Sequence, residues 1–194
     1  MNSTDLIRAY FDSVAATWLP SESDDSARKA IISLSQVPSG CEIADIGCGK
    51  GVMLPYLLGL DPKSICEIDV SAEMIRLCKA TCSDDRVHFI ADDFLTMPEM
   101  AFDFIIIFNA YPHFTDKRAF SRRLASFVRH GGSAVIAHSK SREAINSLHK
   151  DCGTQPLSVK LRPAAEEFET FSRFFFSELL VDNEDMYLLK LRRK

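Results

Sequence analysis

Residues Ile43 to Gly51 read I-A-D-I-G-C-G-K-G, a short apolar run that ends in glycines at three alternate positions, Gly47, Gly49 and Gly51. A run of that length bounded by glycine is a strand, and the glycines are needed where the backbone turns sharply and something must approach it closely. Apolar spacing of helical period resumes from about Val52 to Leu60. Strand, glycine turn and helix in that order open a βαβ unit and commit the chain to a parallel sheet.

The rest of the chain repeats the alternation. Before the loop, Leu6, Ile7, Tyr10, Phe11, Val14 and Trp18 recur at helical spacing, and a second helix is expected over residues 26–34. After it come strands over residues 64–69, 87–91, 102–108 and 134–138, with Ser71 placed to cap the helix that follows the first of them. The run Phe102 to Phe108 is almost wholly apolar, as a central parallel strand buried on both faces must be. A helix carrying Phe120, Leu124, Phe127 and Val128 on one side leads to Gly131-Gly132 before the last of these strands. Two final strands, from about Phe174 to Val181 and from Met186 to Leu191, flank the polar turn D-N-E-D and read as a hairpin. With 194 residues, the chain suits one domain with one sizeable core. We divide it into a helical N-terminal lid (1–35) and a Rossmann-like core (36–194).

Composition narrows the partners. A net charge of -4 argues against a basic, nucleic-acid-binding face. No stretch reaches the roughly 18 apolar residues of a membrane span, and the N-terminus has no secretory h-region. Six cysteines in a chain without an export signal are expected to be buried thiols, which indicates the cytoplasm. Cys78 and Cys82, four apart on an expected helix, could share a metal, but no second Cys/His pair completes a set of four, so no metal is assigned.

The spacing G-x-G-x-G differs from the G-x-G-x-x-G that faces a pyrophosphate in nicotinamide-dependent oxidoreductases. Asp45, two residues before the first glycine, would repel a pyrophosphate and suits the positively charged amino acid end of S-adenosylmethionine. Asp69 closes the next strand, 22 residues after Gly47, where a carboxylate can accept hydrogen bonds from both hydroxyls of a ribose. Asp92-Asp93 follows the third strand and is placed to take the exocyclic amine of an adenine.

Taken in order, ADIGCGKG, CEIDVSAEMI, VHFIADDFLTMP, FDFIIIFNAYPHF and RHGGSAVIAH resemble the motif series of class I S-adenosylmethionine-dependent methyltransferases, in particular the small type 11 enzymes, which include quinone-biosynthesis methyltransferases. The resemblance covers about residues 5 to 190. It implies an α/β/α sandwich whose seven-stranded, mostly parallel sheet has its last strand antiparallel, with the cofactor laid across the carboxyl ends of the strands. By matching positions it assigns the cofactor to Asp45, Gly47, Cys48, Gly49, Gly51, Asp69, Val70, Met74, Asp93, Phe94 and Asn109. Two departures stand out: Glu67 replaces a small residue, and the last helix-to-strand turn lacks a Gly-Phe pair.

Methyl transfer needs positioning and shielding, with a base only if the nucleophile must lose a proton. The expected place is the carboxyl ends of the strands, where N-A-Y-P-H-F (109–114) follows the most buried one. This is not the [Asn/Asp]-Pro-Pro-[Phe/Tyr] motif of methyltransferases acting on DNA bases or glutamine. His113 is the first candidate for base or substrate-orienting group, His138 the second and His149 the third. Arg142, Asn146 and His149 form one polar stripe of an expected helix, and Tyr10 and Trp18 on the opening helix are placed as a lid. With Tyr111, Arg142 and Asn146, they make the expected substrate contacts. The acceptor is read as a small molecule with an O, S, N or C nucleophile, and the chain as a monomer or homodimer. Two alternatives stay open: a non-catalytic S-adenosylmethionine-binding protein of the same fold, and an enzyme whose three histidines hold a metal.

Overall fold

The computed structural model describes residues 3–18, 25–151 and 157–194, with the side chains of 149–151 excepted. Helices α1 (Ser3–Val14) and α2 (Asp25–Ser35) precede an alternating series: β1 (Glu42–Ile46), α3 (Leu54–Leu58), β2 (Ser64–Asp69), α4 (Ala72–Lys79), β3 (Val87–Ala91) and β4 (Phe102–Phe108). A 3-10 turn (Tyr111–His113) leads to α5 (Lys117–Phe127), β5 (Val128–His138), α6 (Arg142–Asp151), α7 (Ala164–Phe168), β6 (Phe175–Asp182) and β7 (Tyr187–Arg193).

The seven strands form one sheet in the order β3-β2-β1-β4-β5-β7-β6. Strands β1 to β5 pair in parallel, and β7 runs antiparallel to both of its neighbours, β5 and β6. The order turns back between β1 and β4, which opens a crevice at their carboxyl ends.

Alternation along each strand sends successive side chains to opposite faces. Ala44, Ile46, Ile105, Ile107, Ala134 and Ile136 pack with Phe120, Leu124 and Phe127 of α5. Ile43, Phe104, Ile106 and Val135 pack on the other face with Ile31 of α2, Leu54 and Leu57 of α3, and Cys78 of α4. Burial on both faces is what makes the central strands continuously apolar.

Three boundaries differ from those expected. α3 is only five residues long, because turns run through Gly51 to Met53 and Pro55 then starts the helix. α4 ends at Lys79, with Ser71 capping its start by accepting from the Met74 amide at 3.1 Å, so Cys82 falls beyond it in a loop. β5 begins at Val128 rather than Ala134, and Gly131-Gly132 lie inside it, where the register with β4 slips between Phe102 and Phe104. A Cβ on Gly132 would lie 2.7 Å from the Asp103 carbonyl oxygen, so these glycines make a bulge.

Helix α1 lies across the start of α4. Arg8 Nε donates to the Val70 carbonyl at 3.2 Å, and Ser71 Oγ donates to Asp12 at 2.6 Å. The opening helix is thereby fastened over the crevice.

Candidate active site

A cavity of about 320 Å³ occupies this crevice. The amides of Gly47 and Cys48 both donate to the Ile68 carbonyl, at 2.8 and 3.2 Å, and bind the glycine loop to the end of β2. Gly47 has φ +73°, and a Cβ there would lie 2.5 Å from Cβ of Ala110, so only glycine fits. Gly49, at φ +56°, faces open space on the cavity side. Gly51 does not line the cavity. Its backbone rests on Cys78, whose sulfur a Cβ would meet at 2.5 Å.

Asp69 joins this loop to α4. One carboxylate oxygen accepts from the Ser71 amide at 2.8 Å and the other from the Gly49 amide at 2.9 Å. Burial raises its pKa, and these amide bonds pull the other way. Each oxygen keeps further acceptor capacity toward the cavity it lines. Val70, Met74, Asp93, Phe94 and Asn109 line the same space. Asp93 accepts from the Leu95 amide at 2.9 Å, which shapes the turn after β3. Phe94 packs edge-on against Phe127 at 4.9 Å. Asn109, at φ +54°, exchanges two 3.1 Å hydrogen bonds with Ser139.

Asp45 does not take the place expected for it. It is buried and does not line the cavity. Alternation puts it on the Ile43 side of the sheet, in register with Glu67 of β2, while Ile46 faces the cavity. Burial, followed by the neighbouring Glu67 and Asp69, pushes its pKa well up.

The opposite wall is aromatic. Phe11 of α1 stands edge-on to His113 at 5.0 Å and to Trp18 at 5.9 Å, and all three line the cavity. His113 Nδ1 is 3.0 Å from the Leu157 carbonyl oxygen, which can only accept, so Nδ1 carries the proton and Nε2 is the basic nitrogen of the neutral ring. Tyr10 packs on Phe11 at 5.2 Å without reaching the cavity. Arg28 and Lys50 also line it and were not anticipated. Lys50 stands within the glycine run, and Arg28 lies on the buried face of α2 with Ile31 and Ser35, its Nε donating to the Tyr56 hydroxyl at 3.3 Å.

Other expected substrate contacts lie elsewhere. Tyr111 is fully buried, and its hydroxyl donates to Glu167 at 2.6 Å. Burial and that carboxylate hold the phenol neutral. Arg142 pairs with Asp182 at 3.1 Å and with Glu143. Asn146 donates to the Leu161 carbonyl at 3.0 Å and accepts from its amide at 2.8 Å, clamping the backbone that follows α6. His138 is buried against Tyr187, ring centroids 6.1 Å apart, and does not line the cavity. It follows Ala134 and Ile136 onto the α5 face of the sheet, where its ring packs on Tyr187 of β7. The His149 side chain lies outside the described residues.

Residues 43–132 match the protein family described as "Methyltransferase domain". The chain is 28% identical over 158 residues to 2-methyl-6-phytyl-1,4-hydroquinone methyltransferase of Synechocystis, a match covering 78% of this chain and 50% of that protein. The chain thus spans about half the length of that relative. Among solved structures, a chain from the complex of the Haloferax volcanii Trm112 methyltransferase activator with a methyltransferase superposes with TM-score 0.77 at 18% identity, covering 94% of this chain and 97% of that one. The N-methyltransferase NodS of Bradyrhizobium japonicum, in complex with S-adenosyl-L-homocysteine, gives TM-score 0.72 at 18% identity, with 96% and 98% covered. The chain thus has the fold of these methyltransferase structures, and its residues 43–132 carry the match to the methyltransferase-domain family.

Proposed function

We propose that the chain transfers a methyl group from S-adenosylmethionine to an O, S, N or C nucleophile of a small molecule. The observation that carries this reading is a single cavity with the glycine loop and Asp69 on one wall and His113 on the other. The residues fit the cofactor: Gly47 and Gly49 leave the loop free of side chains, and Asp69 keeps acceptor capacity for ribose hydroxyls. Val70, Met74, Asp93 and Phe94 then flank the adenosine, with Asn109 beside the loop. When bound, the cofactor supplies a methyl group already activated on a sulfonium.

The chain's own contribution is to exclude water, orient the acceptor and take a proton where the acceptor must lose one. In this reading His113 Nε2 is that base, with Nδ1 tethered to Leu157. Phe11, Trp18 and Phe114 give the acceptor side apolar walls, while Arg28 and Lys50 bring positive charge into the cavity. That combination suits a small molecule with a planar apolar body and an acidic or anionic group, and the hydroquinone of the Synechocystis relative's name has the first of these. Residues 1–35 act as the lid over the core formed by 36–194. The net charge of -4 supports an acceptor other than nucleic acid. None of the described helices is long and apolar enough to cross a membrane, and the five described cysteines are free, which supports work in the cytoplasm without a membrane partner. The chain is read as a monomer or a homodimer.

Isothermal titration with S-adenosylmethionine and with S-adenosylhomocysteine tests the reading. One site per chain, weakened in Asp69→Ala, is expected, followed by turnover of phenols, thiols or acids that His113→Ala loses. Folded protein that takes up neither compound would remove the proposal and leave the fold.

A further inference from the structure

Behind the glycine loop, Cys48 Sγ, a carboxylate oxygen of Glu67 and Cys78 Sγ all lie within 4.8 Å of one another, the only such group of three metal-ligating side chains found among the described residues. They come from three elements: the loop after β1, strand β2 and helix α4. All are buried, Glu67 and Cys78 at 0% exposure and Cys48 at 4%. Cys78 Sγ donates to Glu67 Oε2 at 3.9 Å. Cys82, which the sequence placed with Cys78 on one helix, lies beyond the end of α4 and is not in this group.

The pocket holds more acceptor atoms than donors. Glu67 Oε1 is buried with no hydrogen-bond partner. Asp45, opposite Glu67 in the β1–β2 register, is 1% exposed, and its Oδ1 also has no hydrogen-bond partner. Leaving a polar atom buried and unsatisfied is costly, and two such oxygens side by side ask for a donor or a cation.

We propose that Cys48, Glu67 and Cys78 form a binding site for a thiophilic divalent cation, zinc foremost, with Asp45 or a water as fourth ligand. Two sulfurs and one oxygen are a donor set such ions accept. Tetrahedral zinc with its usual bond lengths holds these donors roughly 3.5–3.8 Å apart, a distance range within the observed grouping. Cys48 also lines the cofactor cavity, which gives the ion an entrance. Binding replaces the protons of both thiols and of the Glu67 carboxyl: one divalent ion enters, up to three protons leave, and no electron is transferred. Because Gly51 rests on Cys78 and Cys48 belongs to the glycine loop, the ion would fix the loop from behind. The site does not depend on methyl transfer.

The test uses the full chain, reduced and freed of metal by chelator, titrated with cobalt(II) and then zinc(II). The expected result is a thiolate-to-cobalt charge-transfer band saturating at one equivalent, displaced by zinc, together with a higher melting temperature in zinc. Cys78→Ala should abolish the band, Glu67→Gln should weaken cobalt binding by more than about tenfold, and Cys82→Ala should keep both. Glu67→Gln serves should Cys78→Ala fail to fold. The proposal is overturned if reduced wild-type protein gives no stoichiometric band, or if the band survives in Cys78→Ala, the mark of adventitious surface binding. A Cys48–Cys78 disulfide by mass spectrometry, with no cobalt band after reduction, would overturn it in favour of a thiol pair.

Discussion

The two walls of the cavity are held together by different kinds of bond. On the glycine-loop side every contact uses a backbone amide as donor: Gly47 and Cys48 amides on the Ile68 carbonyl, Gly49 and Ser71 amides on the Asp69 carboxylate. On the acceptor side they are ring against ring, from segments far apart in sequence: Phe11 against His113, and His113 tethered to Leu157, 44 residues away. A wall made of backbone has one shape, and a side chain added at Gly47 collides with Ala110. A wall made of aromatic rings can exchange one ring for another and change its contour while the sheet beneath stays the same. The first wall thus has a fixed contour, and the second one that substitutions can reshape.

Substitutions can separate the two walls. His113→Ala is expected to lower turnover on a true acceptor by about 10²–10⁴-fold while leaving cofactor affinity within about twofold. Single-turnover rates and titration together would show this, and a parallel loss of both would erase the division. Gly47→Ala forces a positive φ on a side chain that meets Ala110, so it should cost about 2–4 kcal/mol of unfolding free energy in denaturant melts. Asp69→Ala should weaken cofactor binding by about 1–3 kcal/mol and spare the acceptor KM at saturating cofactor. Trp18→Ala should act in the opposite sense, raising acceptor KM by about 2- to 12-fold with cofactor affinity unchanged. Arg142→Ala should alter neither ligand and change stability by at most about 1 kcal/mol, since its partners are Asp182 and Glu143 outside the cavity.

The same contrast governs what could be read in the sequence. The glycine-loop wall was legible as structure because its determinants are contiguous: glycines after an apolar run, an acid closing the next strand, a serine placed to cap the next helix. Asp45 was misplaced because charge was weighed before alternation, although a position two before Gly47 and two after Ile43 shares the face of Ile43. His138 and Tyr111 lie at the expected end of the sheet, but sequence order does not say that Tyr187 and Glu167 come from far along the chain to cover them. The stripe of Arg142 and Asn146 marked a polar helix face correctly and could not reveal that its partners are Asp182 and the backbone at Leu161. Arg28 was invisible for the converse reason, since an arginine in a helical segment reads as solvated until its neighbours are known to be buried.

Strand β7 lies between β5 and β6, although β6 precedes it in the chain. During synthesis β6 therefore emerges before the only strand it pairs with, and β5 waits with an open edge bearing Val135, Ile136 and Ala137. The five parallel strands and the crevice between β1 and β4 can assemble in that interval, so the pocket precedes the closure of the sheet. The half-made protein would carry a formed site beside a sticky apolar edge, the kind of surface that invites a chaperone or another nascent chain. Strand β7 contributes nothing to the described cavity walls, and its pairing with β5 ends that exposure.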